Sequence, residues 1–188
     1  MPSLWSKIMQ CHSPMKKSIL ITGGARSGKS AIAERLTKKL GASPVYLATA
    51  KAYDDEMTVR IDAHKARRGG EWTTVQVDVD LSSALIGSDH GQPRLVDCLT
   101  LWLTNVMLSG GDVNARTGDL IVALEKQSSP VVFVTNEVGS GIVPDSKLGR
   151  DFRDAAGALN QQIAQACDEV YLAVSGQALK VKPNDIEF

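Results

Sequence analysis

Gly23-Gly24-Ala25-Arg26-Ser27-Gly28-Lys29-Ser30 follows the apolar run Ser18-Ile19-Leu20-Ile21-Thr22, and the fold turns on reading the two together. A short, β-branched run closed by glycines predicts a buried strand. From Gly28 the apolar period changes: Ile32, Leu36 and Leu40 recur every fourth residue with Ala33 beside them, and Gly41 stands where a helix would be capped. Strand, glycine loop, helix is the setting in which Gly-x4-Gly-Lys-Ser works as a phosphate loop. Backbone N–H groups curl round polyphosphate oxygens, glycines permit the curl, and the helix aims its positive end at the anion. Gly23, Gly24, Ala25, Arg26, Ser27 and Gly28 are thus expected to bind nucleotide. Lys29 should bridge the β- and γ-phosphates as a catalytic residue, and the Ser30 hydroxyl should ligate Mg2+. By composition alone the pattern arises in roughly one chain of this length in a hundred or fewer.

Reading outward, Val45 to Thr49 predicts a second strand, completing a right-handed βαβ unit with parallel strands. Asp54, Asp55 and Glu56 load negative charge onto the start of a helix expected to run to about Arg68. Val75, Val77 and Val79 alternate with polar residues as a strand would. Arg94 to Cys98 and Val131 to Thr135 read as further strands, Leu99 to Leu108 and Leu148 to Ala166 as helices, and Glu169 to Val174 as a last substantial strand. Gly110-Gly111 through Gly118 is expected to be a loop. Alternating strands and helices predict an α/β fold: an open, mostly parallel sheet with helices on both faces.

A phosphate loop needs a further acid for its metal, usually at the end of another buried strand. Asp97, closing Arg94-Leu95-Val96, is the best-placed residue for it, although a strand-end Asp capping the helix from Leu99 would look the same.

The chain of 188 residues, 43% hydrophobic and 22% charged, has the length of one domain with a buried core and is short for two. Its 21 Lys and Arg balance 21 Asp and Glu, so no global field draws it to nucleic acid or an anionic membrane. No stretch approaches the roughly 18 to 20 consecutive apolar residues of a membrane span. Residues 1 to 17 lack a signal-peptide core and are expected to form a flexible extension ahead of a single domain over 18 to 188. Cys11, Cys98 and Cys167 are odd in number and far apart, which argues against a disulfide framework or a zinc site and makes the cytoplasm the expected compartment.

Of the histidines, His12 and His90 lie in polar surroundings, whereas Arg60, Lys65, Arg67 and Arg68 surround His64. Two readings stay open. The run is a solvated basic helix end whose cations complement the C-terminal dipole. Alternatively, the cations keep the imidazole neutral and gather phosphate oxygens, so that His64 attacks a nucleotide α-phosphate.

Four stretches, GGARSGKS after its strand, YLATA followed by DDEMTVRIDAHKARRGGEW, VDCLTLWLTN, and VTNEVGSGIVP followed by FRDAAGALNQ, occur in this order. Together, over about residues 18 to 182, they resemble the bifunctional adenosylcobinamide kinase/adenosylcobinamide-phosphate guanylyltransferase family of cobalamin biosynthesis. The resemblance implies a RecA-like P-loop NTPase fold, usually a homotrimer. It also implies two activities: ATP or GTP phosphorylates adenosylcobinamide on its aminopropanol hydroxyl, and GMP then moves from GTP onto that phosphate, releasing pyrophosphate. The family's guanylylated histidine matches His64. Its nucleotide contacts fall on Gly23 to Ser30, on Ala48, Thr49 and Ala50, and on Lys65, Ala66, Arg67 and Arg68, with Asp97 as the strand-end acid and metal partner of Ser30. Gln76 departs from the pattern, standing where a nucleotide-contacting glutamate is often found. Two other classes share part of this reading: a P-loop kinase of another small metabolite, which needs no nucleophilic histidine, and a non-catalytic GTP-binding sensor.

Overall fold

The computed structural model describes residues 16–52 and 55–184, apart from the side chains of Glu56, Met57, Arg60, His64 and Arg67. Most of the expected extension, with Cys11 and His12, lies outside the described residues. In chain order the elements are β1 (Ser18–Thr22), α1 (Lys29–Leu40), β2 (Val45–Ala48), α2 (Asp55–Arg68), β3 (Thr73–Gln76), α3 (Leu81–Gly87) and β4 (Arg94–Asp97). They continue as α4 (Leu99–Leu108), α5 (Val113–Glu125), β5 (Val131–Val134), α6 (Lys147–Ala166), β6 (Glu169–Val174) and β7 (Gln177–Lys182).

The strands form one seven-stranded sheet in the order β3-β2-β4-β5-β1-β6-β7. Every pairing is parallel except the β6–β7 hairpin at one edge. This order sorts the helices. From β1 the chain moves outward through β2 to β3, then returns through β4 and β5 and passes β1 to reach β6. Because parallel crossovers are right-handed, outward and returning connections cover opposite faces.

The core follows suit. Ile19 and Ile21 of β1, Tyr46, Leu95, Val132 and Val134 point to one face and pack with Ala33, Ile32, Leu36 and Leu40 of α1. Leu20, Leu47, Val96 and Phe133 point to the other, against Leu81 and Leu85 of α3, Trp102 and Leu103 of α4, Leu124 of α5 and Leu159 and Ile163 of α6. Alternate residues of one strand thus serve two cores, as the two-residue side-chain period requires. Truncating a fully buried residue such as Phe133 (0% exposed) to Ala would cost about 3–5 kcal/mol.

Several elements differ from the sequence expectation. Residues 110–118 are not all loop, because α5 begins at Val113, where Asp112 caps it by accepting from the N–H groups of Asn114 and Ala115. Its apolar anchors Leu120, Ala123 and Leu124 lie beyond the glycine-rich stretch, so periodicity appears only late. Strand β3 stops at Gln76, short of the alternation through Val79. Val77 still donates to the Ala48 carbonyl, at 2.8 Å, after which the chain turns into α3, capped by Asp80. The edge strand β7 is half polar and mostly exposed, and its pattern carries no burial signal.

At the amino ends of β4 and β5, Arg94 is fully buried. Its guanidinium donates to Asp89 Oδ1 at 2.5 Å, Gln127 Oε1 at 2.8 Å and the Ser129 carbonyl at 2.9 Å. Asp89 also accepts from the Ser128 N–H and hydroxyl and the Ser129 N–H. Burial by itself would raise the Asp89 carboxyl, but hydrogen bonds from Ser128, Ser129 and Arg94 hold it far below the usual carboxylate range. A depressed folded pKa contributes stability in full above the unfolded value of about 4 and loses it as pH falls toward the folded one. Asp89→Asn should therefore be less stable than the parent by about 1–3 kcal/mol in urea titrations at pH 7, with the gap starting to shrink only below about pH 4. A gap independent of pH would mean that the charge is not its origin.

Candidate functional site

A cavity of about 690 Å3 opens at the carboxyl ends of β1, β2, β4 and β5. This is where open α/β sheets place ligands. One wall is the 23–30 loop, pinned from two sides. The Glu137 N–H, just past β5, donates to the Gly23 carbonyl at 3.0 Å, and the Gly176 N–H, in the β6–β7 turn, donates to the Ser27 carbonyl at 2.9 Å. A Cβ on Gly23 would stand 2.6 Å from the Ala173 carbonyl oxygen. Gly28 has φ +92° and a Cβ there would meet Gly176 Cα at 3.0 Å, so conformation and space both demand glycine.

Gly28 supplies no side-chain cap to α1, and the first turn holds no acid. The helix therefore turns uncapped N–H groups and its positive end toward the cavity, as an anion requires. Lys29 is buried and folds back, its Nζ donating to the Gly24 carbonyl at 3.0 Å. Burial lowers its pKa, partly offset by the nearby Asp97 carboxylate. A phosphate arriving there would supply the missing counter-charge. The Ser27 hydroxyl is buried with no hydrogen-bond partner, and Ser30 lines the same wall.

Opposite stands Asp97, half-buried at the end of β4, accepting from the Tyr46 hydroxyl at 3.1 Å. Burial first, and then Asp97, raise the Tyr46 pKa, which keeps the phenol a neutral donor. The Arg68 guanidinium lies 3.5 Å over the Tyr46 ring centroid, and Trp72 meets the ring edge-on at 6.0 Å. Such a desolvated cation–π contact contributes about 2 kcal/mol. Arg68 is only 4% exposed, and its Nη1 has no hydrogen-bond partner. Beside Asp97, burial pushes the Cys98 thiol up to about 12, with Asp97 adding to the effect, so it stays protonated near neutrality. Cys98 and Cys167 are free thiols, both buried.

The cavity brings together Ala25 to Ser30, Ala48, Ala50, Lys65, Arg68, Gln76 and Asp97. Gly23 and Gly24 form the loop's base behind it. Thr49 is fully buried and its hydroxyl both donates to the Cys98 carbonyl and accepts from the Cys98 N–H, at 2.8 Å each. It braces the wall between Ala48 and Ala50 and does not line it. Ala66 is exposed on α2, away from the lining. Gln76 donates from Nε2 to the Ala50 carbonyl at 2.9 Å. His64 occupies a backbone position in α2 three residues after Ile61 and four before Arg68, both of which line the cavity. The His64 and Arg67 side chains lie outside the described residues.

Asn136 and Glu137, at the strand end where the sequence already places a ligand-contacting loop, line the cavity, whereas sequence reasoning missed Tyr46 and Leu101. A phenol in an otherwise apolar strand was the available signal for Tyr46. Nothing local marked Leu101, which sits in a helix apolar on most sides.

Residues 19–181 match the family model described as cobinamide kinase / cobinamide phosphate guanyltransferase. The chain is 43% identical over 181 residues to the bifunctional adenosylcobalamin biosynthesis protein CobU of Escherichia coli, covering 87% of this chain and 99% of that protein. It is 42% identical over 167 residues to the bifunctional adenosylcobalamin biosynthesis protein CobP of Pseudomonas aeruginosa, covering 87% and 96%. Among solved structures it resembles the flagellar accessory protein FlaH of Methanocaldococcus jannaschii (TM-score 0.55, 13% identity, 91% of this chain and 80% of that one). It also resembles an ATPase of a type III secretion system (TM-score 0.56, 14% identity, 88% and 57%). At these identities the structural likenesses concern the fold, which is that of a P-loop NTPase.

The glycine geometry is testable by paired substitution. Gly28→Ala should lower stability by about 1–3 kcal/mol and weaken binding of a fluorescent GTP analogue by about tenfold or more, because the loop must shift off Gly176. Gly24→Ala, where a Cβ meets nothing within 4 Å, should leave the thermal midpoint unchanged. Equal destabilisation at both positions would refute the packing explanation.

Proposed function

Because the chain belongs to the cobinamide kinase / cobinamide phosphate guanyltransferase family, we propose that this enzyme carries out both activities on one nucleotide site. It phosphorylates adenosylcobinamide on its aminopropanol hydroxyl with ATP or GTP, then transfers GMP from GTP to the product through a guanylyl-histidine at His64. The observation that carries this reading is a single cavity lined jointly by the phosphate loop, Asp97 and the cationic face of α2. A triphosphate lying from the loop toward Lys65 and Arg68 would have its charge met at both ends.

In the proposed kinase step, the loop N–H groups and Lys29 hold the terminal phosphates in line with the corrinoid hydroxyl. Positioning and charge neutralisation supply most of the rate, since the loose transition state leaves little covalent work to the protein. In the proposed transferase step, a neutral His64 nitrogen bonds to the α-phosphorus of GTP as the bond to pyrophosphate breaks. The phosphate of adenosylcobinamide phosphate then displaces the imidazole. Two inversions retain configuration overall. Arg68, buried with an unpartnered nitrogen, is suited to α-phosphate oxygens.

Mg2+ fits the residues present. Ser30 and Asp97 offer hard oxygen donors on one cavity, and no cluster of three or more His, Cys, Asp or Glu that could hold a metal occurs among the described residues. Such a sparse set suits an ion held largely by phosphates and water, where it would neutralise charge between phosphate oxygens. The proposal includes a homotrimer, supported by exposed apolar side chains at Ile142, Val143 and Leu148. It also includes a cytoplasmic location. No helix among the described residues is long and apolar enough to cross a membrane.

Incubation with α-labelled GTP should leave acid-labile, base-stable label on the chain, and His64→Ala should abolish that label while sparing phosphorylation of adenosylcobinamide. Lys29→Ala should reduce both activities by about 10²-fold or more. Full labelling of His64→Ala would place the nucleophile elsewhere, and phosphoryl transfer with no labelling of the parent chain would leave only a kinase.

A further inference from the structure

A hydroxyl that attacks phosphorus must lose its proton, and the residues considered so far offer no group to take it. Asp97 and Glu137 are the two acids among the residues lining the cavity. They differ in position and commitment. Asp97 is half-buried and accepts the Tyr46 hydroxyl, on the wall where a metal partner is expected. Glu137 is exposed at the rim, immediately beyond β5 and against the phosphate loop, to which its own N–H is bonded through the Gly23 carbonyl at 3.0 Å.

The Glu137 side chain is half-committed. Its Oε1 accepts from the Gly139 N–H at 2.8 Å, and among the described residues the carboxylate makes no further hydrogen bond or ion pair. One oxygen is thus fixed by the loop's own backbone while Oε2 is left for a ligand. The other charged groups lining the cavity are Arg26 and Lys29 from the loop, Asp97 from β4, and Lys65 and Arg68 from α2. None of these cations pairs with Glu137. A bulky corrinoid can reach the terminal phosphate only from the open side, and its hydroxyl must therefore arrive past the rim.

Resting on the kinase reading above, we propose that Glu137 is the general base of phosphoryl transfer. The acceptor oxygen bonds to the γ-phosphorus as the bond from that phosphorus to the bridging oxygen breaks. The electron pair leaves with the nucleoside diphosphate, and the hydroxyl proton passes to Oε2 of Glu137. The guanylyl transfer needs no such base, because its nucleophiles are an imidazole and a phosphate anion. Loss of Glu137 should therefore spare the transferase and loss of His64 the kinase.

Gln can still accept the Gly139 N–H, so Glu137→Gln removes the base and keeps the loop contact. With the full chain, ATP and adenosylcobinamide, Glu137→Gln should lower kcat for phosphoryl transfer by about 10²-fold or more. It should leave the KM for ATP within about threefold, abolish the acid limb of the kcat–pH profile, and retain labelling by α-labelled GTP. Glu137→Asp, which restores a carboxylate at shorter reach, should recover part of the rate. A Glu137→Gln rate within threefold of the parent overturns the assignment. So does an equal loss of nucleotide binding, labelling and phosphoryl transfer, which would put Glu137 among the phosphate- or metal-holding groups. A parent chain that labels with GTP yet phosphorylates no alcohol overturns the kinase reading itself, and this inference with it.

Discussion

The phosphate loop can hold an anion only if its backbone stays open, and an open backbone must be held from outside. Two hydrogen bonds do this. Glu137 reaches Gly23 from the exit of β5, and Gly176 reaches Ser27 from the turn after β6. They exist because β1 lies between β5 and β6 in the sheet, so that both neighbours deliver backbone N–H groups to the same end. The strand order is therefore a requirement of the loop, and the two cores packed against α1 on one face and α3 to α6 on the other serve to fix it.

The far wall is built on a different principle. Arg68, Tyr46 and Asp97 form a chain of contacts, guanidinium over ring and phenol to carboxylate, that spans from α2 to the end of β4. Each member is constrained by burial. The phenol stays neutral because ionising it beside Asp97 away from water is unfavourable. The guanidinium can sit without a full set of hydrogen bonds because the ring face partly replaces water. The ring and its hydroxyl thereby link a cation on α2 to the acid at the end of β4.

The phosphate loop was legible because its chemistry is local: glycines, a lysine and a serine at fixed spacing carry their own explanation. Strands β1, β2, β4 and β5 were legible in type because buried parallel strands are short apolar runs, β3 showed only as alternation, and Asp97 could be picked out as the polar residue ending one of the buried runs. What could not be read depended on other segments. Helix α5 hides behind glycines and starts on the Asp112 cap. Strand β7 pairs at an edge with polar residues outward. Thr49 lies in a stretch the family resemblance marks for nucleotide, yet its hydroxyl is spent on the Cys98 backbone. Tyr46 shows in the sequence only as a phenol in an apolar strand, because its role is defined by Arg68 and Asp97, both remote in sequence.

The Gly176–Ser27 contact also orders events during synthesis. A ribosome releases the phosphate loop early, but β1 finds its sheet partners only in β5 and β6, and the backbone that seals the loop's rear belongs to the β6–β7 hairpin and emerges much later. Until then the nascent chain exposes a loop that lacks half its support. Ligand capture is thus deferred to the completed sheet, and an interrupted translation product carries the motif without the grip.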